Sequence, residues 1–230
     1  MPTSLNDNRA ARETVLGRVA KALDKTGDRA AARAEAERYM ATHAHGPRPT
    51  MPADLVARFM QRAVDMSSTV ERLANRHEIP AAVARYVDGL DLPAAIAAQK
   101  SRRGVCWPEF GDLDWAGVGL EIETRPTAGD DRLGITGSFC AIAETGTLVV
   151  LSGPDTPTAT TLLPDSWVAV VHADRIVSGM EEAFALIRSE RGVVPRAINM
   201  ISGPSRTGDI EQTMVLGAHG PYRVHLLVIG

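Results

Sequence analysis

Ten consecutive residues near the C-terminus, Ser202 to Glu211, carry three hydroxyls, one guanidinium and two carboxylates. That is more polar chemistry than a plain connection between elements needs. The apolar run Ala197 to Ile201 before it reads as a buried strand, and Ile210 to Leu216 after it reads as a short amphipathic helix. A strand, a loop with Gly and hydroxyl groups and a helix start present backbone N–H groups to an anion. Ser202, Gly203, Ser205, Arg206 and Thr207 are therefore candidate ligand-binding residues. Gly203 and Gly208 have the glycine spacing of a phosphate-binding P-loop, but Asp209 stands where the lysine would be, which argues against nucleoside triphosphate hydrolysis. Asp209 and Glu211 complete the candidate set; both also suit a helix N-terminus through the dipole alone.

A second cluster is Glu144-Thr145-Gly146-Thr147, a tight turn between two apolar runs. Asn or Asp before Gly would serve turn chemistry better than Glu-Thr, so Glu144 is a candidate nucleophile or general base, with Thr145 and Gly146 beside it. The same carboxylate also fits an ordinary surface turn. His219, between Gly217-Ala218 and Gly220-Pro221, is a candidate general acid in a sharp loop before the last strand. His225 sits inside that strand's pattern and reads as a packed or edge residue, while His43 and His45 lie in a Pro/Gly linker without further metal-ligand types nearby. His77 and His172 have no partners at metal-ligand spacing, so no metal site is expected.

These residues need elements to hold them. Helical periodicity runs through residues 8–42, breaks at Gly27-Asp28, and resumes from Asp54 through Thr69–Leu73 to His77, with a further helix over Ala81–Asp88 started by Pro80 and closed by Gly89. Residues 1–90 thus read as a helical region packed on a main α/β domain of residues 91–230. In the latter, Ala94–Ala98, Leu120–Glu123, Ile135–Ala143, Thr147–Leu151, Trp167–Val171, Arg175–Val177, Ala197–Ile201 and Val224–Ile229 read as strands, with a hairpin at Glu144–Gly146 and a helix from Met180 to Ser189. Residues 105–119 read as loop-rich. Alternating strands and helices imply a three-layer α/β/α sandwich with a mixed sheet.

A net charge of −3 and a pI near 6.1 argue against nucleic-acid binding, which would show as a basic excess. No apolar run is long enough for a membrane span and no secretory leader is visible, so a cytoplasmic location is expected. Two cysteines, Cys106 and Cys140, cannot supply the four thiolates an iron–sulfur cluster usually takes, and no cofactor is expected in this chain.

Taken together, Ala141–Leu148, Ser202–Glu211 and Leu216–Pro221 resemble the lactate-utilisation protein C family, built on the LUD domain. The resemblance covers roughly residues 50–230 and implies a fold similar to the sugar-phosphate isomerases and CoA-transferases. It also implies a part in oxidising L-lactate to pyruvate beside partner proteins that carry iron–sulfur clusters. It brings no agreed catalytic set, so two functions stay open: a non-redox component of a lactate-oxidising system, or a stand-alone enzyme or binding protein for a small anion such as a CoA thioester or sugar phosphate, using Glu144 and the Ser202–Thr207 loop.

Overall fold

Three apolar stretches are buried along almost their whole length: β4 (Leu133–Thr136), β7 (Ser166–His172) and β12 (Arg223–Ile229). Strands covered on both faces read as unbroken apolar runs, and this is the mark of a parallel sheet. The structure, a computed structural model, describes residues 5–23, 29–90, 102–208 and 215–230. Among these, six strands form an all-parallel central sheet in the order β1 (Thr69–Leu73), β12, β7, β4, β2 (Arg103–Cys106), β3 (Glu121–Thr124). The edge strands β1 and β3 each carry charged residues, Glu71 and Arg72 in one and Glu121 and Glu123 in the other, which discourages pairing with other chains.

A second sheet of four strands carries the mixed pairing, in the order β8 (Ile176–Val177), β5 (Cys140–Ile142), β6 (Thr147–Leu151), β9 (Ile198–Ile201). A ribbon of β10 (Arg206–Thr207) and β11 (Val215–Leu216) stands apart. The helices are α1 (Leu5–Ala22), α2 (Arg29–Thr42), α3 (Leu55–Asp65), α4 (Ile79–Asp88), α5 (Ala159–Leu162) and α6 (Met180–Arg191). Helices flank the central sheet on both sides, as the α/β/α expectation requires. One core joins Phe59 of α3, Ile79 and Val83 of α4 and Trp167 of β7; a smaller one packs Ala183 and Ile187 of α6 under Cys140, Ile142 and Val149.

Residues 1–48 and 49–230 are separate compact units. In the first, α1 and α2 leave Val15, Leu16, Val19, Tyr39 and Met40 exposed. The second begins well before residue 91, because Thr69–Leu73 is not the tail of a helix but strand β1, in register with His225–Ile229. The α3 helix starts at Asp54, whose carboxylate accepts from the Ala57 N–H at 2.9 Å, and it ends where Ser67 takes φ +67°. A serine in the left-handed region gives no Gly or Pro signal, so this stop is silent in the sequence.

Two further expectations are corrected. Val105 and Cys106, at the start of the stretch 105–119 read as loop-rich, belong to β2 in the central sheet. The single strand expected over Ile135–Ala143 is two: β4 in one sheet and β5 in the other, split at Gly137-Ser138. The strand expected over Ala94–Ala98 lies outside the described residues.

Candidate functional site

The turn between β5 and β6 and the loop after β9 sit on one support, the C-terminal end of α3. Gly146 has φ +70°, and a Cβ there would lie 2.7 Å from the Ala63 nitrogen; Gly203 has φ +77°, and a Cβ would overlap the Met66 carbonyl. Only glycine permits both approaches. Three hydroxyls bridge the two segments: Thr145 Oγ1 is 2.6 Å from Thr147 Oγ1, which is 2.6 Å from Ser202 Oγ. The Glu144 turn and the Ser202 loop, remote in sequence, are therefore neighbours.

Beyond Gly203 the loop is held by the segment before β12. The Ser205 N–H donates to Pro221 O at 2.9 Å, the Gly217 N–H donates to Ser205 O at 3.0 Å, and the His219 N–H reaches Ser205 Oγ at 3.3 Å. Arg206 and Thr207 then pair with Leu216 and Val215. The expected helix over Ile210–Leu216 is corrected at its end, where Val215 and Leu216 are extended and pair with Arg206 and Thr207 in a β-ribbon. Asp209 and Glu211 lie outside the described residues.

Pro204, Arg206 and Leu216 form one wall of a cavity of about 320 Å³. Ser67, Thr69, Tyr86, Tyr222 and Arg223 supply most of the rest. The Arg206 guanidinium donates to Ser67 Oγ. Arg223 donates from Nε to Ser166 Oγ at 3.1 Å and lies 5.0 Å from the Tyr222 ring centroid. Two guanidiniums, held by hydroxyls and with phenol rings beside them, place positive charge at this cavity. The volume suits a ligand of few heavy atoms. Glu144, Thr145 and Gly146 do not line this cavity, and His219 is exposed, its backbone N–H tied to Ser205 of the loop. Ser202 and Gly203 link the turn to the cavity wall; Arg206 faces the cavity itself.

Under the cavity lies His225, 5 % exposed and opposite Thr69 in the register. Its Nδ1 is 2.8 Å from Thr69 Oγ1, and its ring stacks on Tyr86 with centroids 4.3 Å apart and planes 9° apart. It is a packed residue, as expected, but on a central strand and not an edge. Burial pushes its pKa down to about 4, a pull that Glu71 opposes and Arg85 reinforces. The unfolded chain takes a proton on this ring near pH 6.5, the folded chain only near 4. The neutral ring's contribution is therefore fully present above about pH 6.5, and about 3 kcal/mol is lost as pH falls through that window. Comparing urea unfolding of wild type and His225→Gln from pH 7 to 4 should show the wild type losing stability faster; parallel curves would contradict this assignment.

The thiols of Cys106 and Cys140 are both raised by burial, that of Cys140 to about 11, so neither is a reactive thiolate near neutral pH. Among the described residues no group of three His, Cys, Asp or Glu is arranged to hold a metal, and no helix is long and apolar enough to cross a membrane.

Comparison with known proteins adds to this geometry. The LUD domain family model matches residues 109–229. Lactate utilization protein C of Bacillus licheniformis is 36% identical over 129 residues, covering 54% of this chain and 53% of that protein. The corresponding Bacillus subtilis protein gives the same identity over 127 residues, so the match spans about half the length of these relatives. Lactate utilization protein C of Deinococcus radiodurans is 31% identical over 196 residues, covering 80% of this chain and 84% of that protein. The crystal structure of a DUF162 family protein from Deinococcus radiodurans aligns with a TM-score of 0.55 at 24% identity, over 79% of this chain and all of that one, which supports the fold.

Proposed function

Because the chain belongs to the LUD domain family, we propose that it serves lactate utilisation as the non-redox component of a cytoplasmic system oxidising L-lactate to pyruvate. The observation that carries this reading is a cavity of about 320 Å³ with two guanidiniums, Arg206 and Arg223, in a chain similar to proteins named for lactate utilisation. Arg206 and Arg223 would hold the carboxylate of the hydroxy acid, with the Ser67 and Thr69 hydroxyls near its own hydroxyl. The Glu144–Gly146 turn, Ser202 and Gly203 would keep Arg206 in place from behind, and Ser205 and Thr207 would fix the loop. Removing two electrons from lactate requires an acceptor. A chain with two cysteines lacks the four thiolates a cluster usually takes, so iron–sulfur partner proteins would supply it.

The test is genetic and physical together. Deleting the gene in its native host should abolish growth on L-lactate and spare growth on pyruvate; normal growth on L-lactate would overturn the reading. Arg206→Ala should fail to restore growth and should weaken L-lactate binding, measured by calorimetry, about tenfold or more, since a hydrogen bond to a charged group contributes about 1.5–3 kcal/mol. An Arg206→Ala protein that restores growth and binds L-lactate as the wild type does would remove the cavity from the function.

A further inference from the structure

Arg206 and Leu216 stand opposite each other in the β10–β11 ribbon. Cross-strand partners project on the same side of a ribbon, so a guanidinium and a leucyl side chain share one wall of the cavity. The other walls repeat that division. Arg223, Ser67 and Thr69 are polar, while Tyr86, Leu90, Pro204, Tyr222 and Val224 supply mostly apolar surface. Among the described residues that line the cavity, none is Asp or Glu.

L-Lactate would leave much of this apolar surface bare, because it offers a single methyl group. At roughly 30 Å³ per heavy atom, the share of a water molecule in the liquid, it accounts for about 180 Å³ of the 320 Å³. Leu216 is 40% exposed, and Leu90 and Pro204 are half-buried, so apolar surface stays in water until a group of matching chemistry covers it. The aromatic walls are already fixed. Tyr86 is stacked on buried His225 with planes 9° apart. The Tyr222 side chain lies against Gly217, where φ is +77° and a Cβ would come within 3.2 Å of Tyr222 Cβ and Cδ2. Side chains held in this way lose little freedom on binding, so covering them converts more fully into affinity.

We propose that the cavity takes 2-hydroxy acids whose side chain is a branched alkyl group larger than lactate's methyl: Arg206 and Arg223 hold the carboxylate, and the chain lies on Leu90, Pro204 and Leu216. This rests on the reading of the cavity as a hydroxy-acid site and names the class that fills it. The pairing of Arg206 with Leu216 sets the two ends of such a ligand side by side, charge on one residue and carbon on its neighbour. A side chain longer by about three carbons takes up roughly 90 Å³ more by the same measure, which the cavity still holds.

The test titrates the whole chain by calorimetry with L-lactate, L-2-hydroxybutanoate and L-2-hydroxy-4-methylpentanoate. Each methylene buried should tighten binding about fourfold, so the butanoate should gain about fourfold over L-lactate and the branched acid about tenfold or more. The heat capacity change of binding should grow more negative along the series, as burial of apolar surface requires. Leu216→Ser, at an exposed position, should cut the ratio between the branched acid and L-lactate about fourfold or more. Arg206→Ala should weaken all three acids and keep that ratio, because they share the carboxylate. The proposal is overturned if the branched acid binds no tighter than L-lactate, or if Leu216→Ser keeps the wild-type ratio. Binding of L-lactate alone would sink this proposal and leave the lactate reading standing. Binding of the branched acid alone would do the reverse, and binding of none would remove both.

Discussion

Gly203→Ala is expected to destabilise the 49–230 unit by about 3–5 kcal/mol and to lower its unfolding midpoint by roughly 10 °C. Two costs add. A residue with a Cβ is strained at φ +77°, and the new methyl would overlap the Met66 carbonyl, with the Met66 carbonyl carbon 3.1 Å away. Neither side can yield easily. The Met66 N–H is bonded to Arg62 O at 3.0 Å, and the same helix end is already pressed by Gly146. Relief would come from lifting the loop, which would break the Thr147–Ser202 contact and withdraw Arg206 from its cavity. Thermal and urea unfolding measure the effect, and a loss below about 1 kcal/mol would show that the loop is not seated on α3 as described.

Trp167→Ala should cost a similar amount, about 3–5 kcal/mol, for a different reason. The indole is fully buried in the middle of the central sheet, and its Nε1 donates to Thr136 Oγ1 at 2.8 Å. Thr136 in turn donates to Gly137 O at 3.0 Å, so the vacated volume and the lost donor both act at the carboxyl end of β4. Chemical unfolding should report the loss in stability, and the Gly137 amide signal should move in the same variant. Near wild-type stability would mean that the surrounding strands collapse onto the space, contrary to their regular register.

The parts legible in the sequence were those whose signal is local. β7 and β12 are continuous apolar runs, the β5–β6 hairpin is marked by Gly146, and α6 shows its period; all fall close to the expected places. β1 was hidden because Thr69-Val70-Glu71-Arg72-Leu73, an edge strand with charged residues, continues the polarity pattern of the helix before it, and the turn at Ser67 carries no glycine. β2 was hidden because Arg103-Gly104-Val105-Cys106 is short and polar at its start; a Cβ at Gly104 would lie 2.8 Å from the Leu133 Cβ, a closeness no sequence pattern announces. The proximity of the Glu144 turn to the Ser202 loop is tertiary, but the glycines that enforce it, Gly146 and Gly203, were already in the two motifs. Tyr86, Tyr222 and Arg223 had no comparable mark. Arg206 was read as part of a loop before a helix, whereas it is itself extended and pairs with Leu216 in a ribbon.

The pairing of β1 with β12 has a consequence for how the molecule is made. Thr69 and His225 touch across 156 residues of chain, so α3, β1 and α4 leave the ribosome long before the strand that completes their packing exists. Contacts of such separation form late because chain closure must precede any gain from them. Ser67, Thr69 and Tyr86 wait for Tyr222 and Arg223 to close the cavity around Arg206. The wall around Arg206 is thus among the last pieces of the nascent protein to assemble, and an unfinished chain carries only half of that cavity.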